Sequence, residues 1–172
     1  GDGMRWELLF ADLEGRLEAV ERATLDAEIA QRTRDERAAV SLAARLAGAR
    51  GAEVALVLRG GRRVVGTVAD AAGSWVLLRD GAAEVLVPLA AVAAAEALPH
   101  RAAALGVVEG RLRVTTALRE LAEAGGEVLV ETDGGAWAGV VAAVGSDHLD
   151  LDGPGGRRAI ALASLLAVRS RP

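Results

Sequence analysis

The sequence predicts an α+β fold that is mainly β: a long N-terminal helix followed by two tandem units, each a short helix plus five strands curled into a small barrel. Three observations carry the prediction. First, parts of Val64–Ala95 occur twice at one offset of 73 positions. Gly66-Thr67-Val68-Ala69 reads like Gly139-Val140-Val141-Ala142, and Trp75-Val76-Leu77-Leu78 reads like His148-Leu149-Asp150-Leu151. Val87-Pro88-Leu89-Ala90-Ala91-Val92 reads like Ile160-Ala161-Leu162-Ala163-Ser164-Leu165. Second, the chain opens with apolar residues at helical spacing. Third, short alternating runs follow, separated by Gly-bearing turn signals.

Residues 4–34 read as one helix. Trp6, Phe10, Leu13, Leu17, Val20, Thr24, Ala27 and Gln31 recur at spacings of four and three, on one face. The stripe is strongest from Trp6 to Val20. It packs on the barrels or pairs with a second copy as a coiled coil, so Trp6, Phe10, Leu13, Leu17 and Val20 are the candidate self-association residues. Gly1-Asp2-Gly3 ahead of Met4 reads as an appended leader. Arg32–Arg37 reads as a charged break before a second helix, Asp35–Ala47, which Gly48 and Gly51 end.

The first barrel unit spans 35–98. Its strands are Glu53–Arg59, Arg63–Ala71, Trp75–Arg79, Glu84–Pro88 and Val92–Ala95. Val54, Leu56 and Leu58 share one face of the first strand; Val64, Gly66 and Val68 share one face of the second. Residues 99–114 form a connector. In the second unit, 115–169, Thr115 or Thr116 caps a helix running to Ala124, and Gly125-Gly126 stops it. Strands resume at Glu127. Gly134-Gly135 matches Gly60-Gly61 at an offset of 74, so one residue is lost in that hairpin. Asp152–Arg158 reads as a long hairpin tip, and Ser170–Pro172 as a loose tail. Sheets this short cannot cover both faces while flat. Bending at a central Gly, Gly66 or Gly139, curls each into a barrel. Whether the barrels stand apart or side by side is open.

The pattern of a helix, an apolar strand, a Gly turn and a Gly-bent second strand resembles the Sm-like fold. Val57-Leu58-Arg59-Gly60, Gly66-Thr67-Val68 and Trp75-Val76-Leu77-Leu78 carry the resemblance in the first unit. Asp133-Gly134, Gly139-Val140-Val141 and Val144-Gly145-Ser146-Asp147-His148-Leu149 carry it in the second. SH3-like barrels share much of it. The whole chain, with its opening Met4–Glu14, also looks like an uncharacterised actinobacterial family, some of whose members are labelled Fis-like regulators. Such a regulator needs a helix-turn-helix, whereas the C-terminal part here reads as strands. The Sm-like resemblance implies ring assembly and RNA binding through an Asp and an Asn after the second strand and an Arg-Gly pair before the last. Ala72-Gly73-Ser74 and Val76 stand at the first two positions in one unit; Asp147 and Leu149 stand there in the other. Val87-Pro88-Leu89 and Ala161-Leu162-Ala163 replace Arg-Gly.

Composition narrows the function classes. The chain has 172 residues and no Cys, which excludes thiolate chemistry and Cys-ligated zinc. Net charge is −4, against the basic balance usual for phosphate binders. All basic residues other than His are Arg, which suggests a genome rich in G and C. No apolar run is long enough to span a bilayer, and no secretory pattern opens the chain, so the expectation is a cytoplasmic protein with no membrane partner.

Arg59, Arg62 and Arg63 cluster at one hairpin and Arg157 and Arg158 at another, the candidate contacts for nucleic acid. Trp75 and Trp137 are the only aromatics in the barrels, and half-buried packing suits them better than base stacking. His148, Asp150 and Asp152 alternate on one strand face, which would suit a divalent metal; a solvated outer face opposite Leu149 and Leu151 is the plainer account. Gly153-Pro154-Gly155-Gly156 lacks the Gly-Lys-Ser of a phosphate loop. No residue set carries catalysis, and no metal or cofactor is expected. The sequence therefore points to a non-enzymatic binding or scaffold module for a protein partner or itself, with RNA or DNA binding as the alternative.

Overall fold

The computed structural model describes residues 2–105 and 112–171; side chains of 2–14, 36 and 37 lie outside the description. The chain divides into two compact units, Gly1–Val40 and Ser41–Pro172. The first is a single helix, α1 (Asp2–Ala38). It runs straight through the stretch expected to break it. Arg, Glu and Gln are good helix formers, and neighbours one turn apart hold each other: Gln31 Nε2 donates to Asp35 at 2.9 Å and Arg34 to Gln31 at 2.7 Å.

The second unit is α+β and mainly β. The short helix α2 (Leu42–Gly48) starts at Ser41, whose Oγ accepts the Ala44 N–H at 3.1 Å. Five strands follow: β1 (Glu53–Leu58), β2 (Arg63–Ala71), β3 (Trp75–Asp80), β4 (Ala83–Pro88) and β5 (Val92–Glu96). Helix α3 (Val114–Ala124) comes next. Arg113 stands at its N-cap and no side chain caps it; Gly125, at φ 68°, ends it. Then come β6 (Val128–Thr132), β7 (Gly135–Val144), β8 (His148–Gly153), β9 (Gly156–Ala161) and β10 (Leu165–Ser170). Ser170, expected in a loose tail, is thus a strand residue, and its Oγ accepts the Glu84 N–H at 2.8 Å. Gly106–Arg111 of the expected connector lie outside the described residues.

All ten strands form one antiparallel sheet, ordered β5-β1-β2-β3-β4-β10-β6-β7-β8-β9. The two five-strand sets are joined edge to edge where β4 meets β10, with Leu86 opposite Val168 and Val85 opposite Arg169. Their internal registers correspond. Leu56 faces Ala95 as Val130 faces Val168; Val68 faces Leu78 as Val141 faces Leu151; Trp75 faces Pro88 as His148 faces Ala161. Even the bulges correspond, with Ala69 and Ala142 skipped on the second strands and Ala93 and Leu166 on the last. The second set is one residue shorter in its first turn. Arg59-Gly60-Gly61 separates Leu58 from Arg62, whereas Asp133-Gly134 alone separates Thr132 from Gly135.

Strands β2 and β7 change partners partway along. Residues 63–67 pair with β1 and 67–71 with β3; residues 135–139 pair with β6 and 140–144 with β8. Gly66 and Gly139 sit at these changeovers, where the neighbouring backbone comes too close for a Cβ.

The alternation read from sequence gives the core. Val54, Leu56, Leu58, Val64, Val68, Leu149 and Leu151 are all buried, and each fully buried leucine contributes roughly 2 kcal/mol. Among the described residues there are two apolar clusters, and each draws on both sets. Leu166 and Ala167 of β10 join the cluster of Leu46, Leu56, Val76 and Leu78. Ala72, Trp75 and Leu86 join that of Leu118, Val130, Leu149 and Ile160.

Candidate interaction surfaces

The five candidate arginines are held by partners within the chain. Arg59, just after β1, donates to the carbonyls of Ala90, Ala163 and Leu165 at 3.1, 3.1 and 3.2 Å, and lies 3.5 Å from Asp133. Arg62 pairs at 2.7 Å with Glu131 on β6, a carboxylate that sequence reading passed over. Glu131 is 5% exposed, and its Oε2 is buried without a hydrogen-bond partner. Arg59 and Arg62 thus bind the first set to the second. Arg63 pairs with Glu96 at 3.0 Å.

Arg157 and Arg158 are not at a hairpin tip. The strands extend further than expected, leaving only Pro154 and Gly155 between β8 and β9. Arg157 faces Asp152 across the ladder and grips both carboxylate oxygens, at 2.7 and 3.0 Å. This pairing explains the longer strands: opposite charges directly across antiparallel strands attract. The Arg157 hydrogen bond also holds the Asp152 carboxyl below the ordinary range. Arg158 lies over the half-buried Trp137 ring, 4.9 Å from its centroid.

The His148, Asp150, Asp152 trio is dispersed in its bonding. Asp152 is taken by Arg157, and His148 Nδ1 lies 2.9 Å from Asp147. Among the described residues no group of His, Asp and Glu is arranged to hold a metal ion. The hydrogen bond to Asp147 raises the His148 pKa from its ordinary value near 6.5, with Asp147 and Asp150 charges adding to it. Folding therefore favours the imidazolium. That contribution is present at acid pH and disappears as pH rises through the raised midpoint. An NMR titration should place the His148 midpoint above 6.5, and Asp147→Asn should lower it.

Two surfaces stand out among the described residues. One is an apolar cleft of about 230 Å³ between α3 and the β3–β4 hairpin, lined by Trp75, Leu77, Leu86, Leu112, Ala117 and Leu121. Trp75 is 8% exposed, more buried than sequence suggested, and its Nε1 has no hydrogen-bond partner. The other is the set of large apolar side chains on α1. Every residue from Gly15 to Asp35 is exposed. Among them Leu17 is 56%, Val20 64%, Leu25 55% and Ile29 53% exposed. Leu25 and Ile29 were not in the expected stripe; they lie about 80° and 120° around the helix from Leu17. The side chains of Trp6, Phe10 and Leu13 lie outside the described residues.

No helix among the described residues is long and apolar enough to cross a membrane. No protein-family model and no curated protein sequence matches this chain.

Proposed function

We propose that the chain is a non-enzymatic binding and scaffold module, built from two tandem Sm-like or SH3-like small barrels, whose partner is a protein and in the first instance another copy of itself. The matching registers and bulges of the two five-strand sets support the duplication. The observation carrying the function is the exposure of four large apolar side chains on α1, Leu17, Val20, Leu25 and Ile29, each more than half exposed. A helix keeping such side chains in water gains by covering them, and a second amphipathic helix is the simplest cover. Light scattering of the intact chain should show an oligomer insensitive to salt. The double variant Leu17→Asp/Val20→Asp should run as a monomer with its sheet intact by circular dichroism. A double variant of unchanged mass would overturn this reading.

Nucleic-acid binding through Arg59, Arg62, Arg63, Arg157 and Arg158 ranks second. Phosphate would have to displace Asp133, Glu131, Glu96 and Asp152 from four of these guanidiniums. The stack of Arg158 on Trp137 is the one feature that favours it, since an aromatic with a cation is a platform for a base. Binding of this kind would fall steeply with salt.

A further inference from the structure

We infer that the cleft between α3 and the β3–β4 hairpin receives an extended peptide segment of a partner protein, one that carries apolar residues and a basic residue. This surface is not on α1, and the inference stands or falls apart from the α1 reading.

The chain already seats one such segment, against the helix that corresponds to α3. Helices α2 and α3 match at an offset of 72 positions: Ser41 and Arg113 are their N-caps, and Leu46 and Leu118 are each fully buried. Residues 98–105 run past α2 with no helix or strand of their own. Hydrogen bonds hold them there. The Ala103 N–H donates to the Ala44 carbonyl at 3.0 Å, Arg45 donates to the Pro99 carbonyl at 3.1 Å, and Arg101 Nε donates to the Gly48 carbonyl at 2.9 Å. Leu98, Ala103 and Leu105 pack on the core of the first set.

The matching face of α3 lines the cleft. Ala44, Arg45 and Gly48 correspond to Thr116, Ala117 and Glu120, and all three of the latter border it. The facing wall is apolar. Leu77 and Leu86 lie opposite one another on β3 and β4, and Trp75 shares their face of the sheet. Ser74 Oγ donates to the Leu112 carbonyl at 3.3 Å, which ties the two walls at one end. A second cleft, of about 180 Å³, shares Leu77, Leu86 and Leu121 and runs on to Val168 and Ser170. The apolar floor is therefore continuous, as an extended segment requires. Two differences from the first set define the occupant. Gly48 admits the backbone of residues 101 and 102, since a Cβ there would lie 2.5 Å from the Arg101 carbonyl oxygen. Glu120 has a side chain at that place, so a segment on α3 sits farther from the helix and over the apolar wall. Glu120 also brings an exposed carboxylate to the rim, where Arg101 in the first set meets a backbone carbonyl. A basic residue in the occupant gains a charge-assisted hydrogen bond there.

The probe is a synthetic peptide with the sequence of residues 98–105, capped at both ends and titrated into the isotope-labelled full-length chain under NMR observation. The indole N–H signal of Trp75, assigned by its loss in Trp75→Phe, should shift saturably, together with the amides of Ala117 and Leu121. The amides of Ala44 and Gly48 should stay in place. Glu120→Arg should weaken binding about tenfold, and a peptide bearing Arg101→Glu should bind that variant better than the parent peptide does. Circular dichroism of Glu120→Arg should match the parent chain, which separates lost binding from lost folding. No shift of Trp75 at millimolar peptide overturns the inference. So does an affinity unchanged by Glu120→Arg, or shifts confined to Ala44 and Gly48, which would mean that the peptide only displaces the segment on α2. If Trp75 shifts on concentrating the chain alone and Leu17→Asp/Val20→Asp abolishes that shift, α1 of a second copy fills the cleft and this inference fails. Peptide binding kept in a Leu17→Asp/Val20→Asp variant of unchanged mass would sink the α1 reading and leave this one standing.

Discussion

Gly139→Ala is expected to destabilise the protein by about 3 kcal/mol, because a methyl group there has no room. Its Cβ would run into the backbone carbonyl of Asp152 and lie 3.1 Å from Leu151 Cγ. The obstacle is backbone of a paired strand, so relief requires β8 to move and not merely a rotamer change. Gly139 also marks the point where β7 leaves β6 and takes up β8. The equivalent Gly66→Ala places a Cβ 2.7 Å from the Arg79 carbonyl oxygen and 3.2 Å from Leu78 Cβ. A cost of about 2 kcal/mol is expected there. Neither glycine is among those with positive φ, so the requirement is space and not backbone conformation. Urea unfolding measures both effects as a lowered midpoint at constant slope. Wild-type midpoints would mean that the strands do not approach at these glycines.

The second large effect is expected at the ion pair between the two halves. Arg62→Ala should cost about 2 kcal/mol, because it strands the buried Glu131 carboxylate. Glu131 is 5% exposed, Arg62 is its one ion-pair partner among the described residues, and one of its oxygens is already unpaired. The Arg62 side chain is 45% exposed, so water offsets part of the loss. Replacing both residues, as Arg62→Met/Glu131→Met, removes the charge and its partner together and should recover most of the stability. Urea unfolding of Arg62→Met, Glu131→Met and the double variant gives the coupling. If the losses of Arg62→Met and Glu131→Met simply add in the double variant, the pair is not coupled and this contact is not what holds the turn.

The strands were legible because each alternates locally: Val54, Leu56 and Leu58 face inward with nothing needed beyond their own spacing. The glycines at the bends were legible because a lone glycine inside a strand marks a close approach. The charged stretch at Arg32–Arg37 misled, since charge clustering resembles a break while Gln31, Arg34 and Asp35 stabilise the helix one turn apart. The hairpin at Asp152–Arg158 misled for a related reason. Its glycines suggested a long tip, but the Asp152–Arg157 pairing holds the strands together to Gly153 and Gly156.

The surfaces were less legible than the core. Arginines can be seen in a sequence; their partners cannot when these lie on another strand. Arg59 and Arg62 meet Asp133 and Glu131 only because β4 takes β10 as its neighbour, and no local pattern in either strand specifies that choice. Glu131 was invisible for the same reason: within β6 it is one more residue in an apolar run, and its burial is decided from the other half of the chain.

Through-space proton contacts across β4 and β10 test the architecture most directly. If the two sets share one sheet, NMR should show backbone contacts between Leu86 and Val168 and between Val85 and Arg169, beside those between Leu56 and Ala95 and between Val130 and Val168. Contacts from β4 to β5 and from β9 to β10, with none between Leu86 and Val168, would mean that each set closes on itself, and would contradict the continuous sheet.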